Sequence, residues 1–242
     1  MLADTLREIA GTRLVDTDGN VTVLELLPPA TDAEIRALEA KLPGLLPNEM
    51  RAALAVSTGL ANGPLESFSL LDLEGFGLEE VFPYAYSIAH DGYGNYWVLD
   101  VMPNAMEWGP VYFACHDPAV IAYQSPSIEA FLRDVVAQAP DDPKSPINHV
   151  HEDVVHRLWR DDSSFIRQPA AAASSDVVLR DFAAGLQPDA LLADLRTPVV
   201  GNGFAWGKFG PRTEITRCGA HRLWSLTRPP YKPGLFGRLF GR

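Results

Sequence analysis

Residues 85–117 read AYSIAHDGYGNYWVLDVMPNAMEWGPVYFACHD, and this stretch decides the fold. Three apolar or alternating runs, at 84–90, 95–100 and 111–115, have the length and composition typical of β-strands. Asp91, Gly92 and Gly94 separate the first two runs, because such residues tolerate the positive φ that a tight reversal needs. A second reversal lies around 103–110, where two prolines and a glycine interrupt the pattern. The stretch predicts an antiparallel meander.

Helical patterns flank the meander on both sides. Thr31 and Glu34 match the capping-box pattern ahead of a first helix, and a second helix begins at Pro47 and is expected to end near Gly59. After the meander, apolar residues recur at i, i+3, i+4 and i+7 from Ile128, which predicts a third helix. Further short strands are expected at 21–27, 67–73 and 120–123, and a helix or loop at 2–10. The predicted fold class is α+β, an antiparallel meander sheet covered by helices on one face.

The chain changes character after residue 136. Residues 139–146 are rich in Pro and Asp and predict a linker or a surface loop. Three short helical patterns follow, around 150–158, 179–186 and 191–195, and an alanine-rich stretch at 169–175 separates the first two. We expect this C-terminal helical extension to pack on the core, because each helix is too short to be stable alone. The chain is thus divided into an N-terminal segment 1–30, an α+β core 31–136 and an extension 137–242, which ends in a basic tail rich in Gly, Pro and aromatic residues.

The order of these motifs resembles that of the SUKH superfamily, the Smi/Knr cell-wall-regulator-like proteins, which include many bacterial toxin-immunity proteins. The family pattern has a Leu-Pro step into a helix, an Asp-Gly-x-Gly-Asp/Asn turn, a strand that ends in Asp, a Gly-x-Val-Tyr strand, a His-Asp step and a final helix. The matching residues here are 46–47, 91–95, Asp100, 109–112, 116–117 and 127–132. The resemblance covers roughly 31–136 and leaves the extension without a counterpart.

The resemblance implies a non-catalytic, protein-binding module and, more specifically, an immunity protein that neutralises a cognate bacterial toxin by stoichiometric binding. A regulatory scaffold protein, as in the eukaryotic branch of the superfamily, is the alternative. We expect the partner to contact exposed residues of the meander loops and strand ends. These are Tyr93, Tyr96, Glu107, Trp108, His116 and Asp117. The sequence leaves open which face of the meander is used.

One histidine-rich segment invites a metal-binding interpretation. His149, His151, Glu152 and His156 lie close together in the sequence. The zincin spacing, however, would require the second histidine at residue 155, which is a valine. We therefore expect no metal site there.

A second grouping, the His-Asp pairs at 90–91 and 116–117, is expected to converge because both pairs end strands of the meander. A metal-dependent hydrolase is the minor alternative that such a grouping allows. No nucleophile elbow accompanies it, and Cys115 falls in an apolar strand where burial makes a thiol inert. We therefore expect no enzyme, no catalytic residue and no cofactor.

Charge is distributed unevenly along the 242 residues. Residues 197–242 hold eight Lys or Arg and one acid, a charge of +7, so the total of −11 leaves −18 for residues 1–196. An acidic body repels nucleic-acid phosphate and steers a basic partner toward it, although acidity also serves solubility. We expect a protein partner, such as a basic toxin domain, and no nucleic acid.

Composition and termini complete the sequence-based picture. Hydrophobic residues make up 47% of the chain, enough for a packed core, yet no run approaches the roughly eighteen apolar residues of a membrane span. The first residues include acids where a signal peptide would carry basic residues. Two cysteines, Cys115 and Cys218, make no disulfide framework, and one bridge between them stays open. We expect a cytoplasmic protein without a membrane span.

Overall fold

A computed structural model describes residues 1–15, 18–42, 44–71, 77–83, 85–101, 108–138 and 145–228. Glu107, Tyr84, most of the predicted linker at 139–146 and the basic tail beyond residue 228 lie outside this part of the chain. The described strands, in order, are β1 (Arg13–Val15), β2 (Val21–Val23), β3 (Glu25–Leu26), β4 (Gly59–Ala61), β5 (Ser67–Ser69), β6 (Ala85–His90), β7 (Tyr96–Asp100), β8 (Val111–His116), β9 (Ala119–Ser125), β10 (Ile166–Arg167), β11 (Leu191–Asp194), β12 (Gly203–Phe204), β13 (Glu214–Arg217) and β14 (Leu223–Thr227).

The described helices are short, and none is long and apolar enough to cross a membrane. They are α1 (Leu2–Ile9), α2 (Asp32–Glu39), α3 (Asn48–Leu54), α4 (Ile128–Val136), α5 (Pro146–Asn148), α6 (Val155–Arg160), α7 (Gln168–Ala172) and α8 (Val177–Ala184). A π-helical segment, His149–Val154, joins α5 to α6, and a 3-10 turn, Asp162–Ser164, follows α6.

The larger sheet has eight antiparallel strands in the order β12-β9-β8-β7-β6-β5-β4-β3. Strands β6 to β9 form the predicted meander, and β3 at one edge lies within the apolar stretch expected at 21–27. Strand β12, at the other edge, comes from the C-terminal extension: Gly203 lies opposite Ala122 and Phe204 opposite Ile121 of β9. The extension therefore completes the sheet that the core begins.

Both faces of the meander are buried, because side chains of β7, β8 and β9 alternate between two cores. In β8, Phe113 and Cys115 belong to the core that includes residues of α1, α3, α4 and α6. Tyr112 and Ala114 belong to a second core on the opposite face, together with Trp224 of β14. Burial on both faces explains why these strands read as nearly continuous apolar runs.

A second, four-stranded antiparallel sheet covers that opposite face, in the order β10-β11-β14-β13. Trp224 is fully buried between the sheets, with its ring 5.6 Å from Phe82 and 5.3 Å from Phe204. Its indole N–H donates to the Val81 carbonyl at 2.7 Å. Helices α7 and α8 cover the far side of this sheet through a third small core that includes Leu192. The layers are thus helices, eight strands, four strands and helices.

The α+β class and the helical cover on one face of the meander are confirmed, and the extension packs on the core as expected. The extension is not purely helical, however, since the pattern expected as a helix at 191–195 is strand β11. Leu191 faces the core between the two sheets, and Leu192 faces the core beneath α7 and α8. Both residues are therefore apolar although the segment is a strand and not a helix. The alanine-rich stretch contains helix α7. The proposed division of the chain at residues 30 and 136 stays a prediction.

The capping box at the start of α2 is present as predicted. The Thr31 hydroxyl accepts the Glu34 N–H at 3.3 Å, and the Glu34 carboxylate accepts the Thr31 N–H at 2.7 Å. The end of α3 differs from the prediction, because this helix stops at Leu54 and Gly59 begins β4. A Cβ at Gly59 would lie 2.3 Å from the Phe68 carbonyl oxygen, so this glycine allows strand contact and does not end the helix.

Candidate partner-binding site

The predicted partner-binding residues do not form one surface. Antiparallel pairing of β6 to β9 places the reversals at 91–95 and 117–118 at one end of the sheet, and the connection from β7 to β8 at the other. The predicted residues at the first end of the sheet, which we call the turn end, are Tyr93, Tyr96, His116 and Asp117. Trp108 lies at the opposite end, and Glu107 is outside the described residues.

Asp91 holds the reversal between β6 and β7 in one conformation. Its Oδ1 accepts the backbone N–H of Tyr93 at 2.8 Å and that of Asn95 at 3.2 Å, and its Oδ2 accepts the Asn95 side-chain amide at 2.6 Å. Gly92 and Gly94 have φ values of +77° and +89°, a region that other residues rarely adopt. The side chain of Tyr93 is nevertheless 82% exposed. The turn therefore presents an aromatic ring to solvent on a fixed backbone.

Asn95 joins this turn to the neighbouring reversal between β8 and β9. It is buried, and its Oδ1 accepts the His116 backbone N–H at 3.1 Å and lies 3.1 Å from His116 Nδ1. The imidazole also covers Gly94, where a Cβ would lie 3.2 Å from two ring atoms. Asp117 follows on the exposed surface. The two reversals thus form one connected surface that includes Tyr93, His116 and Asp117.

Tyr96 is partly buried and has a second role. Its ring lies 6.1 Å from the His90 ring and packs against the core between the two sheets. His90 Nδ1 accepts the Gly92 N–H at 3.2 Å, so this histidine also supports the turn. Both side chains help to position the turn that carries Tyr93.

His151 belongs to the turn end, although the sequence pattern did not assign it there. The π-helical segment His149–Val154 places its ring 5.2 Å from Phe113 and its Nε2 3.8 Å from Asp91 Oδ2. Its neighbour His149 instead lies 3.2 Å from Asp153. π-Helical turns occur frequently at functional sites. No local sequence signal marks where this π-helical turn lies or that His151 contacts β8.

The same histidines do not form a recognisable metal centre. Across the described ranges, no group of three or more His, Cys, Asp and Glu side chains is arranged to hold a metal ion. The turn-end carboxylate Asp91 is occupied by hydrogen bonds from the turn itself. Its contacts are those of a side chain that caps a reversal.

Cys115, the nucleophile closest in sequence to this surface, is buried in β8. Burial raises the pKa of its thiol to about 11; a hydrogen bond with the Asp117 backbone opposes the rise, and the charges of Asp91 and Asp117 add to it. The nucleophilic thiolate is therefore scarce at neutral pH. Cys115 and Cys218 are both free thiols, so the bridge left open by the sequence is not formed.

Trp108, at the opposite end, forms part of the wall of a cleft of about 490 Å³. Its ring lies 5.3 Å from that of Tyr86 and packs against the helix-side core. The walls also include Leu2, Met50 and Ile128, from three different helices. Trp108 is thus a partly buried wall residue, unlike the freely projecting Tyr93.

Asp100, the strand-end aspartate of the family pattern, binds two arginines of the extension. Its Oδ1 and Oδ2 accept from Arg217 at 2.7 and 2.9 Å, and Oδ2 also accepts from Arg222 Nε at 2.8 Å. Gly109 leaves room for this group, since a Cβ there would lie 2.3 Å from Arg222 Nη2. Part of the positive charge of residues 197–242 therefore neutralises a carboxylate inside the fold.

Comparison with known proteins agrees with the order of turns and strands described above. Residues 29–134 match the sequence model of the SMI1 / KNR4 family (SUKH-1). Comparison with curated proteins and with solved structures found no match to the chain. The match spans α2 to α4 and includes the meander, the Asp91 turn and Asp100. The match covers less than half of the chain, and for residues 29–134 it supports membership of the SUKH superfamily.

Proposed function

We propose that this chain is an immunity protein that binds a cognate bacterial toxin stoichiometrically in the cytoplasm, without catalysis, through the turn end of its SUKH-1 domain. Domains of this family are generally non-catalytic binding modules. The observation that carries the proposal is Tyr93, a ring that is 82% exposed at the tip of a turn fixed by Asp91.

Tyr93 has the properties of an interface anchor. Tyrosine is enriched among residues that dominate binding energy, because it buries a large apolar ring and offers a hydroxyl. The backbone that carries it is already ordered by the bonds from Asp91, so binding does not have to order the turn.

Charge supports a basic partner. Residues 1–196 carry a net charge of −18, and this includes Asp117, which is exposed at the turn end beside His116. Negative potential over a surface accelerates encounter with a cationic protein and disfavours nucleic acid. A basic toxin domain, such as a nuclease, has the complementary charge.

Affinity capture from the native host, followed by co-expression, tests the proposal. We expect one stoichiometric partner that arrests growth when expressed alone and is harmless in the presence of this chain. Tyr93→Ala should weaken the complex about 30-fold or more and abolish protection, as removal of an anchor does. Leu45→Ala, at a residue that is 86% exposed and far along the chain from the turn, is the matched control and should change neither.

Two outcomes would overturn the proposal. The first is capture of no stoichiometric partner, or of a partner that does not affect growth. The second is capture of several weakly bound partners, which would favour the regulatory scaffold. Point substitutions are needed here, because deletion of 137–242 would remove β12 and expose the core between the two sheets.

A further inference from the structure

A groove of about 220 Å³ lies between residues 77–81 and the loop that leads into β13. Sites for small molecules usually measure roughly 300–1,000 Å³, so this groove is better suited to one large side chain. Its lining combines partly exposed apolar side chains with two consecutive carboxylates. These residues include Leu78, Glu79, Glu80, Trp206, Thr213 and Ile215. The groove therefore has the chemistry to take an apolar group that adjoins a cation.

The groove is preformed, because bonds within the fold hold its walls. The Val81 N–H donates to the Leu78 carbonyl at 3.0 Å, and the Val81 carbonyl accepts the indole N–H of the buried Trp224 at 2.7 Å. The Trp206 indole N–H donates to the Cys115 carbonyl of β8 at 3.0 Å. An occupant therefore binds without the cost of ordering these residues.

Strand β14 ends beside this groove. Leu226 of β14 lies opposite Ile215 of β13, and both side chains pack in the core between the two sheets. Arg228 is two positions beyond Leu226, which places it on the same face, and its guanidinium lies 5.0 Å from the Phe209 ring. The Phe209 N–H in turn donates to the hydroxyl of Thr213, which lines the groove, at 3.1 Å. The residues that follow Arg228 therefore begin next to the groove and on its side of the second sheet.

The chain beyond Arg228 matches the groove in chemistry. Residues 229–242, the basic tail, read PPYKPGLFGRLFGR and contain three cations and no acid. Tyr231 and Lys232 come first, and three residues of chain reach about 10 Å beyond Arg228. Tyrosine brings a large apolar ring with a polar hydroxyl, and lysine brings a compact positive charge. An aromatic ring followed by a cation is thus within reach of the groove.

The charge around the groove is opposite to that of the tail. Residues 77–81 and 210–215 include three acids and one base, and all four side chains are exposed. They are Glu79, Glu80, Glu214 and Arg212. Lys208, the next cation along the chain, is already paired with Asp162. The net charge beside the apolar lining is therefore negative, which favours a cationic occupant.

We propose that the basic tail docks in this groove of its own chain, with the Tyr231 ring against Trp206 and the Lys232 ammonium beside Glu79 and Glu80. Two residues separate Arg228 from Tyr231, so the effective concentration of the ring is high and a weak contact is enough to hold it. The inference does not depend on the proposed function, since it concerns a contact within one chain. It assigns positive charge of the tail to the fold itself.

The Trp206 indole N–H signal of the full ¹⁵N-labelled chain reports occupancy of the groove. It is assigned with Trp206→Phe, and the signals of Trp108 and Trp159 report any change elsewhere in the fold. Tyr231→Ala removes the aromatic anchor, so it should lower the ratio of docked to undocked chains about tenfold and shift the Trp206 signal. Phe240→Ala, at an aromatic residue farther along the same tail, is the matched control and should shift none of the three signals.

A charge reversal tests the lysine contact. Lys232→Glu and Glu80→Lys should each shift the Trp206 signal in the same direction as Tyr231→Ala, and added salt should do the same. The double variant restores opposite charges and should return the signal toward its wild-type position. Glu152→Lys, at a carboxylate of the π-helical segment that is 62% exposed, is the control. It should neither shift the signal alone nor restore it when combined with Lys232→Glu.

Three results would overturn the proposal. The first is a Trp206 signal that neither Tyr231→Ala nor Lys232→Glu moves. The second is an equal shift with Phe240→Ala or Glu152→Lys, which would mean that the contact is not specific to this groove. The third is a difference from Tyr231→Ala that disappears on dilution, which would assign the tail to a neighbouring copy of the chain. Restoration of the signal in the charge-reversed double variant at every protein concentration would support docking within one chain.

Discussion

Asp100 of β7 and Arg217 of β13 form a two-pronged ion pair between the two sheets, with oxygen–nitrogen distances of 2.7 and 2.9 Å and side chains that are 0% and 4% exposed. Arg222 adds a third hydrogen bond to the same carboxylate. The pair links a residue of the region that matches the family model to the extension, so the stability of one sheet depends on the other.

Removal of the Asp100 charge should destabilise the whole fold. In Asp100→Asn, Arg217 keeps its buried charge but loses its ionic partner, and breaking a buried pair in this way costs about 3–5 kcal/mol. Urea unfolding followed by tryptophan fluorescence measures the change. Asp4→Asn removes an ion pair whose side chains are each 60% exposed and should cost less than about 1 kcal/mol. Equal effects of the two substitutions would contradict a buried, structural role for Asp100.

Tyr112→Phe should leave stability unchanged or raise it. The Tyr112 hydroxyl is buried between the sheets, and no hydrogen-bond partner for it lies in the described part of the chain. Burial raises the pKa of this phenol above its ordinary value, with Arg222 opposing the rise. Removal of an unsatisfied buried hydroxyl relieves a desolvation cost of about 1–3 kcal/mol, offset in part by any loss of packing.

Tyr86→Phe is the matched control for this change. The Tyr86 hydroxyl is also buried, but it donates to the Leu70 carbonyl, so its removal breaks a buried hydrogen bond and should cost about 0.5–1.5 kcal/mol. Both variants remove a buried phenolic hydroxyl from a meander strand, Tyr112 from β8 and Tyr86 from β6. A loss of stability in Tyr112→Phe as large as that in Tyr86→Phe would show that Tyr112 has a partner.

Gly203→Ala should separate β12 from the sheet. A Cβ at this position would lie 2.0 Å from the Ile121 carbonyl oxygen and 2.7 Å from Leu158 Cδ1, so backbone must move. We expect a loss of about 1–3 kcal/mol and faster hydrogen exchange at β9 amides. Gly185→Ala is the control and should cost nothing, because a Cβ there would lie 4.0 Å from the Phe182 carbonyl oxygen and φ is −88°. Undisturbed exchange at β9 would mean that β12 does not contribute to the edge.

Alkaline pH should weaken the fold partly through Cys115. Its thiol has a pKa of about 11 in the folded chain, whereas an unfolded cysteine ionises near pH 8.5. Between these values the unfolded state has lost the proton and the folded state has kept it, so a rise in pH favours unfolding. The free energy of unfolding, measured from about pH 8 to 11, should therefore fall less steeply in Cys115→Ala than in the wild-type chain. Parallel profiles would contradict the burial of this thiol.

The meander could be predicted because its signals are local. Gly92 and Gly94 adopt the positive φ that their turn requires, and the runs on either side are long enough to identify as strands. The second sheet could not be predicted in the same way. Strands such as β10 and β12 have two residues each and exist because a distant strand pairs with them. Leu191 and Leu192 illustrate the ambiguity, since a short apolar run fits a helix or a doubly buried strand.

For the candidate site, too, the sequence predicts only the features whose signals are local. Tyr93 follows from the turn chemistry around it, and its exposure is that of a hairpin tip. Trp108 was grouped with Tyr93, although successive reversals of a meander lie at alternate ends of the sheet. His151 could not be placed, because the contact that brings it to the turn end joins the π-helical segment to Phe113, more than thirty positions away.

The edge pairing of β12 with β9 has a consequence for biosynthesis. During translation the ribosome delivers β9 nearly eighty residues before Gly203, so the nascent domain must wait with an uncovered strand edge. Such an edge is a template for pairing with other chains. The order of synthesis therefore makes the arrival of two residues, Gly203 and Phe204, the event that covers the edge of β9.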